Sequence, residues 1–273
     1  MILPGSYANG FAPRDGQPLH PELWRGCVGA WAPCLGPTGF TLRDWSGRQK
    51  HSALVNMTAG DDWVAGKGRY ALDFDETNDF GNLGSGVFLP SSGGLTISWW
   101  EYVFATAGPF HSRFRFNTGT QAFFVFRSTM ASYATLSFSR DGVASSLRCS
   151  GAVSLASAAG SWVHFAIVGT AGANSTTPAD WSLYENGVSK TIDAGGAFSS
   201  QTADVNQIGW DGLLGGAGCL IDDIAIYNRA LLPREVKIRS SLRGIAYELA
   251  PRRRSSSAVQ FNRRRRLLVG AGS

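Results

Sequence analysis

At 273 residues, with 44% apolar side chains, 16% charged ones and 34 glycines, the chain has ample material for a core and a composition poorly suited to a mainly helical protein. Its formal charge of +5 is unevenly spread: of 25 Lys and Arg, seven are arginines beyond Leu249, where there is no acid, which leaves 18 basic against 20 acidic side chains before them. A near-neutral body excludes a broad nucleic-acid-binding face there, and no apolar run approaches the ~20 residues of a membrane-spanning helix.

Residues 1–18 mix Gly, Pro, Ser and Asn without periodicity and form an N-terminal arm. The first six residues lack the positive region and apolar stretch of a signal peptide, so no secretion leader is expected. Residues 19–31, ending in Val28, Ala30 and Trp31, predict a first strand, and Gly36-Pro37-Thr38-Gly39 is turn chemistry. From residue 69 to 227, short alternating runs recur between Gly, Ser and Asn punctuation, among them 69–73, 95–104, 110–116, 135–139, 162–168 and 220–227. Regular short strands with turn signals predict an all-β protein: a two-sheet antiparallel β-sandwich spanning residues 19–248 as one domain, with terminal arms.

The last of these strands alternates Leu220, Asp222, Ile224 and Ile226 with Ile221, Asp223, Ala225 and Tyr227, apolar on both faces except for two adjacent acids. A helix is expected next: Pro233 suits a first turn, Glu235 its positive end, and Ile238, Leu242 and Ile245 fall at i, i+4, i+7. Residues 249–273 then form an Arg-rich extension with too little apolar surface to order alone. Its expected role is docking on a partner protein, with Arg252, Arg253, Arg254, Arg263, Arg264, Arg265 and Arg266 as charges and Phe261 and Leu267 as apolar anchors.

Catalytic chemistry is hard to find. There is no Gly-x-Ser-x-Gly, His-Glu-x-x-His or phosphate loop, and His20, His51 and His111 have no partner at motif spacing. His164, flanked by Trp162, Phe165 and Ile167, is expected to be a packed, hydrogen-bonded residue. Cys27, Cys34, Cys149 and Cys219 lack zinc spacing; buried free thiols are favoured over a Cys27–Cys34 bridge. Glycan binding needs aromatic platforms with polar neighbours, for which Trp210 with Asp211 comes first and Trp45 and Trp63 next, although most of the nine tryptophans belong to the core.

The run from Ile221-Asp222-Asp223-Ile224 to Tyr227-Asn228-Arg229-Ala230-Leu231 resembles the last core strand of the laminin-G-like, concanavalin A-like jelly-roll domains. Further landmarks follow in order: Leu42-Arg43-Asp44-Trp45-Ser46-Gly47, Ala71-Leu72-Asp73-Phe74-Asp75-Glu76-Thr77-Asn78-Asp79-Phe80, Ser98-Trp99-Trp100, Trp162-Val163-His164-Phe165-Ala166 and Leu183-Tyr184-Glu185-Asn186-Gly187. The resemblance implies the jelly-roll fold and calcium as a cofactor, held by Asp44 and Ser46 with Asp222 or Asp223. The alternative is that Asp44 caps its own turn and one of the paired aspartates accepts backbone amides. Glucanases of this fold carry Glu-x-Asp-x-Glu on one strand; here only Asp73-Phe74-Asp75-Glu76 comes near it, so no enzyme is expected.

The segments Gly26-Cys27-Val28-Gly29-Ala30-Trp31-Ala32-Pro33-Cys34 and Ala250-Pro251-Arg252-Arg253-Arg254 are similar to laminin-G-like proteins of phage genomes. That similarity implies a non-enzymatic virion protein on the particle surface of a tailed phage, of capsid-decoration, head-fibre or tail-associated type. Its partners are then neighbouring virion proteins, a major capsid protein or tail component, further copies of the same chain, and host or environmental glycans. The alternative is a free carbohydrate-binding lectin module, with a glycoside hydrolase ranked last.

Overall fold

The structure is a computed structural model and describes residues 18–249 except 67–68, 76, 86–87, 104–110, 118–121, 131–132, 142–146, 154–159, 176, 196–205 and 210–217. In chain order its strands are β1 (Cys27–Trp31), β2 (Thr41–Leu42), β3 (Ser52–Val55), β4 (Trp63–Gly66), β5 (Arg69–Phe74), β6 (Phe80–Asn82), β7 (Leu95–Val103), β8 (His111–Asn117) and β9 (Ala122–Met130). They continue with β10 (Tyr133–Asp141), β11 (Leu147–Val153), β12 (Trp162–Gly169), β13 (Trp181–Glu185), β14 (Val188–Lys190), β15 (Asp193–Gly195), β16 (Gln207–Gly209) and β17 (Cys219–Tyr227). One sheet runs β14-β13-β12-β7-β17-β5-β4, with β1 added beside β17; the other runs β15-β11-β10-β9-β8-β16-β6-β3-β2. All strand pairings between them are antiparallel, giving the expected two-sheet β-sandwich.

Side-chain alternation decides what lies between the sheets. Leu95, Ile97 and Trp99 of β7 and Val163, Phe165 and Ile167 of β12 face Phe114 and Phe116 of β8 and Phe123 and Val125 of β9, all buried. Trp99 meets Phe114 edge to face at 5.0 Å between centroids. The other face of the first sheet, with Ala166, Val168, Ala225 and Tyr227, is also covered. Leu23 and Trp24 before β1, and Leu231, Val236, Ile245 and Ala246 after β17, form a second apolar cluster there. The molecule is therefore three layers deep on one side.

An ion pair lies within the main core. Glu101 of β7 and Arg113 of β8 meet across the two sheets, Oε2 to Nε at 2.9 Å, with both side chains buried. Trp99 Nε1 donates to the same Oε2 at 3.0 Å.

Two expectations need correction. Residues 19–31 are not one strand: Pro21–Trp24 form a 3-10 turn, because Pro21 opens a tight turn, and only Cys27–Trp31 extend. The helix α1 covers Pro233–Arg239 alone, and Leu242 is 46% exposed. Its buried face is Glu235, Val236 and Arg239, set by polar contacts that apolar spacing does not reveal. The short strands β2, β3 and β4 carry no alternating run long enough to mark them. Cys27, Cys34 and Cys219 are separate buried thiols, as expected.

Replacing Arg113 by Met should remove the counter-charge of a carboxylate held inside the sandwich. A loss of about 3–5 kcal/mol of unfolding free energy is expected, read as a lower urea midpoint.

Candidate functional site

The two acids of β17 sit where that strand changes neighbours. Residues Cys219 to Ile221 pair with β5, while Ile224 to Tyr227 pair with β1. Between them the register against β7 slips from Asp222 to Ala225, and Asp223 takes a left-handed φ of 46°. This bulge shifts side-chain parity by one. Cys219 and Ile221 therefore share the core face with Ile224 and Ile226, where simple alternation would put Leu220 and Asp222.

Both carboxylates are fully buried beside guanidinium groups. Asp223 Oδ1 accepts Arg239 at 2.7 Å, its carbonyl accepts the same nitrogen at 2.8 Å, and its Oδ2 accepts the Gly244 amide at 2.8 Å. Gly244 has φ 80°, and a Cβ there would lie 2.5 Å from the Arg69 guanidinium. Asp222 Oδ1 accepts the amides of Cys34 at 2.8 Å and Asp223 at 2.7 Å, and its Oδ2 lies 3.2 Å from Arg243 Nε. Burial, then the neighbouring Asp223 charge, push Asp222 up to about 7, against the pull of Arg243 and the two amides.

Arg239 also reaches Ser98. Its Nε donates to Ser98 Oγ at 3.1 Å, and Ser98 Oγ is 2.9 Å from His164 Nε2. Ser98 Oγ thus bridges Arg239 and the imidazole, while His164 Nδ1 is buried without a hydrogen-bond partner. His164 is the packed residue expected. Burial, then the Arg239 charge, hold it well below its ordinary pKa and keep it neutral.

Asp44, buried at the junction of β1 and β2, satisfies its own turn. Oδ1 accepts the Ala30 amide at 2.9 Å and the Ser46 amide at 2.8 Å; Oδ2 accepts Ser46 Oγ at 2.8 Å and the Lys50 amide at 3.0 Å. The residues grouped for calcium, Asp44, Ser46, Asp222 and Asp223, are thus engaged by amides, a hydroxyl and arginines. Among the described residues no group of three or more His, Cys, Asp or Glu is placed to hold a metal ion.

Beside Asp44 lies an open groove of about 560 Å³, lined by Thr38, Thr41, Arg43, Asp44, Trp45 and His51. Its floor follows from register. Thr41 faces Ala53 and Leu42 faces Ser52, and Arg43 and His51, which flank this short ladder, both line the groove. Leu42 and Ser52 point inward, and Thr41, Arg43, His51 and Ala53 are exposed on the outer face. The Asp44 amide donates to His51 Nδ1 at 3.0 Å, which in the neutral ring leaves the proton on Nε2. Trp63, buried, donates its indole N–H to the Gly39 carbonyl at 3.0 Å and so anchors the loop before β2. Phe40, in that loop, is 64% exposed.

A family profile described as the concanavalin A-like lectin/glucanases superfamily matches residues 75–237. The chain belongs to this superfamily. No curated protein matches it in sequence. In fold, this superfamily member is similar to the receptor binding domain of botulinum neurotoxin D, with TM-score 0.53 and 12% identity over 80% of this chain and 53% of that one. It is also similar to the binding domain of Paraclostridial Mosquitocidal Protein 1, with TM-score 0.54 and 16% identity over 80% of this chain and 52% of that one. This chain thus spans about half the length of those structures, and at such identities the likeness shows the fold.

Of the residues singled out for glycans, Trp45 lines the groove and is buried in its wall, while Trp63 belongs to the core. Trp210 and Asp211 lie outside the described residues, as do Arg252, Arg253, Arg254, Phe261, Arg263, Arg264, Arg265, Arg266 and Leu267 of the extension. Arg43 and His51 were not singled out as ligand-binding. The signal was weak: the polar alternation of Thr41 and Arg43 around buried Leu42, followed across a turn by His51.

His164 makes the fold acid-sensitive in a defined sense. Its folded pKa is depressed, so the unfolded chain takes up a proton below its ordinary pKa near 6.5 that the folded chain refuses. In thermal melts, the stability gap between His164→Gln and wild type should move in the variant's favour by about 1.4 kcal/mol per pH unit below ~6.5. A pH-independent gap would mean that His164 is not held neutral.

Proposed function

We propose that this chain is a non-catalytic carbohydrate-recognition domain whose ligand sits in the groove at the β2–β3 edge. The observation that carries the reading is the groove's combination of an aromatic wall with exposed polar groups, Thr41, Arg43 and His51, on a lectin-type sandwich. Relatives in fold include receptor-binding and binding domains by name, which accords with recognition.

The carboxylates argue against hydrolysis. Glycosidases use two free acids flanking the bond, one of them able to give a proton. Here Glu101, Glu185, Asp222, Asp223 and Glu235 are each in an ion pair, with Arg113, Lys190, Arg243, Arg239 and Arg229 respectively. Asp79 is pushed up to about 6, chiefly by burial, with the charges of Asp75 and Asp62 adding. Its Oδ2, however, accepts the Asp75 amide at 3.1 Å, and Asp75 Oδ1 accepts the Thr77 amide at 2.8 Å, so this pair shapes a turn.

On a glycan array the full chain should bind a subset of sugars, and a variant with its seven tail arginines changed to Gln should keep that pattern. No reducing ends should be released from any bound sugar. Array binding lost with the tail arginines would end this reading.

A second reading, display on a tailed-phage particle, rests on the similarity of residues 26–34 and 250–254 to phage proteins, and the ends of the domain are compatible with it. Pro18 and Leu249 form an antiparallel bridge, and the Leu19 amide donates to the Glu248 carbonyl at 2.8 Å. The two ends of the described domain therefore lie side by side, which suits attachment at that point to a capsid or tail protein. Truncation after Ala250 should abolish incorporation into particles while leaving the circular dichroism of the sandwich unchanged; retained incorporation would remove the extension as anchor.

A further inference from the structure

We infer that the β2–β3 groove selects sugars that carry a carboxylate or sulfate group, a conclusion that rests on the carbohydrate-recognition reading above. The argument is a count of donors and acceptors. Arg43 is exposed and has no hydrogen bond or ion pair among the described residues, so its guanidinium is free to pair with an oxyanion. His51 spends Nδ1 on the Asp44 amide, so its remaining nitrogen presents N–H. The Thr41 hydroxyl lies on the same outer face. Thr38 Oγ1 donates to the Thr41 carbonyl and keeps its lone pairs.

The one acid in the lining does not compete for the arginine. Asp44 is 3% exposed and accepts four hydrogen bonds from Ala30, Ser46 and Lys50. Lys50 lies over the Phe88 ring at 4.3 Å, and Arg48 is exposed in the intervening turn. The groove thus offers a fork of guanidinium donors beside an imidazole N–H, with its carboxylate already satisfied. A neutral sugar would leave the guanidinium without a charged partner, whereas a uronate or sulfate ester supplies coplanar or clustered acceptor oxygens within one residue of the ring hydroxyls.

Isothermal titration of the full chain with trigalacturonate, with its carboxyl-reduced neutral counterpart and with a sulfated trisaccharide tests this directly. Short ligands limit the contribution of the distant tail arginines, and Arg43→Gln and His51→Gln locate the site. At least one of the two acidic ligands should bind tenfold or more tightly than the neutral one, and Arg43→Gln should erase the difference while leaving the melting temperature unchanged. Equal binding of the neutral sugar, sensitive to His51→Gln but not to Arg43→Gln, would overturn charge selection and leave carbohydrate recognition standing. Acidic-sugar binding indifferent to both substitutions would place the site elsewhere. Absence of binding to any sugar would sink both readings, and a short oligonucleotide bound through Arg43 in their stead would make the groove a phosphate site.

Discussion

The contact of one Arg239 nitrogen with both the carboxylate and the carbonyl of Asp223 is the constraint on which most of this molecule hangs. A residue with a left-handed backbone inside a central strand is costly unless its surroundings fix it, and here one guanidinium nitrogen holds both the side chain and the carbonyl of Asp223. The bulge so held makes β17 two half-strands of opposite parity, each presenting aliphatic groups to the core. It also changes the strand's neighbour from β5 to β1. The same arginine turns α1 so that a polar face, not the Ile238 side, is buried against the sheet.

Burying two adjacent aspartates is unfavourable by itself, and one guanidinium would not compensate two charges. Arg243 supplies the second, with its guanidinium carbon 4.0 Å from the centroid of the Trp162 ring. Both arginines come from the segment after β17, so that segment closes the third layer through electrostatics as much as through Val236 and Ile245. Removal of either arginine would leave a carboxylate uncompensated, which is why the segment behaves as part of the domain and not as the start of the extension.

The fold class was legible because a sandwich writes its period along every long strand: Leu95 to Trp99 and Val163 to Ile167 alternate in the sequence as they do in space. The bulge was not, because Leu220 to Tyr227 are apolar on both faces, so a parity shift between the two acids leaves no apolar mark. The helix was overextended for a related reason. Leu242 fits an apolar spacing, yet the buried positions are chosen by Arg229 on Glu235 and by Asp223 on Arg239. Asp44 was legible only as a turn with two readings; its carboxylate accepts four hydrogen bonds from its own turn and from β1, which no spacing announces. The groove was least legible, because Arg43 and His51 meet through the register of two strands that together contain only six residues.

A single path of hydrogen bonds connects the buried constraint to the open site. The bulge at Asp223 gives the edge of β17 to β1; β1 donates its Ala30 amide to Asp44; Asp44 in turn donates its own amide to His51. The imidazole is therefore oriented by the scaffold, while Arg43 in the same lining is held by nothing but its backbone. That division has a physical consequence. Residues along the path carry stability and tolerate little change, whereas Thr41 in a two-residue strand and Arg43 just after it are exposed and exchange at small cost to folding. An edge built this way lets its exposed side chains vary on a sandwich whose interior stays fixed.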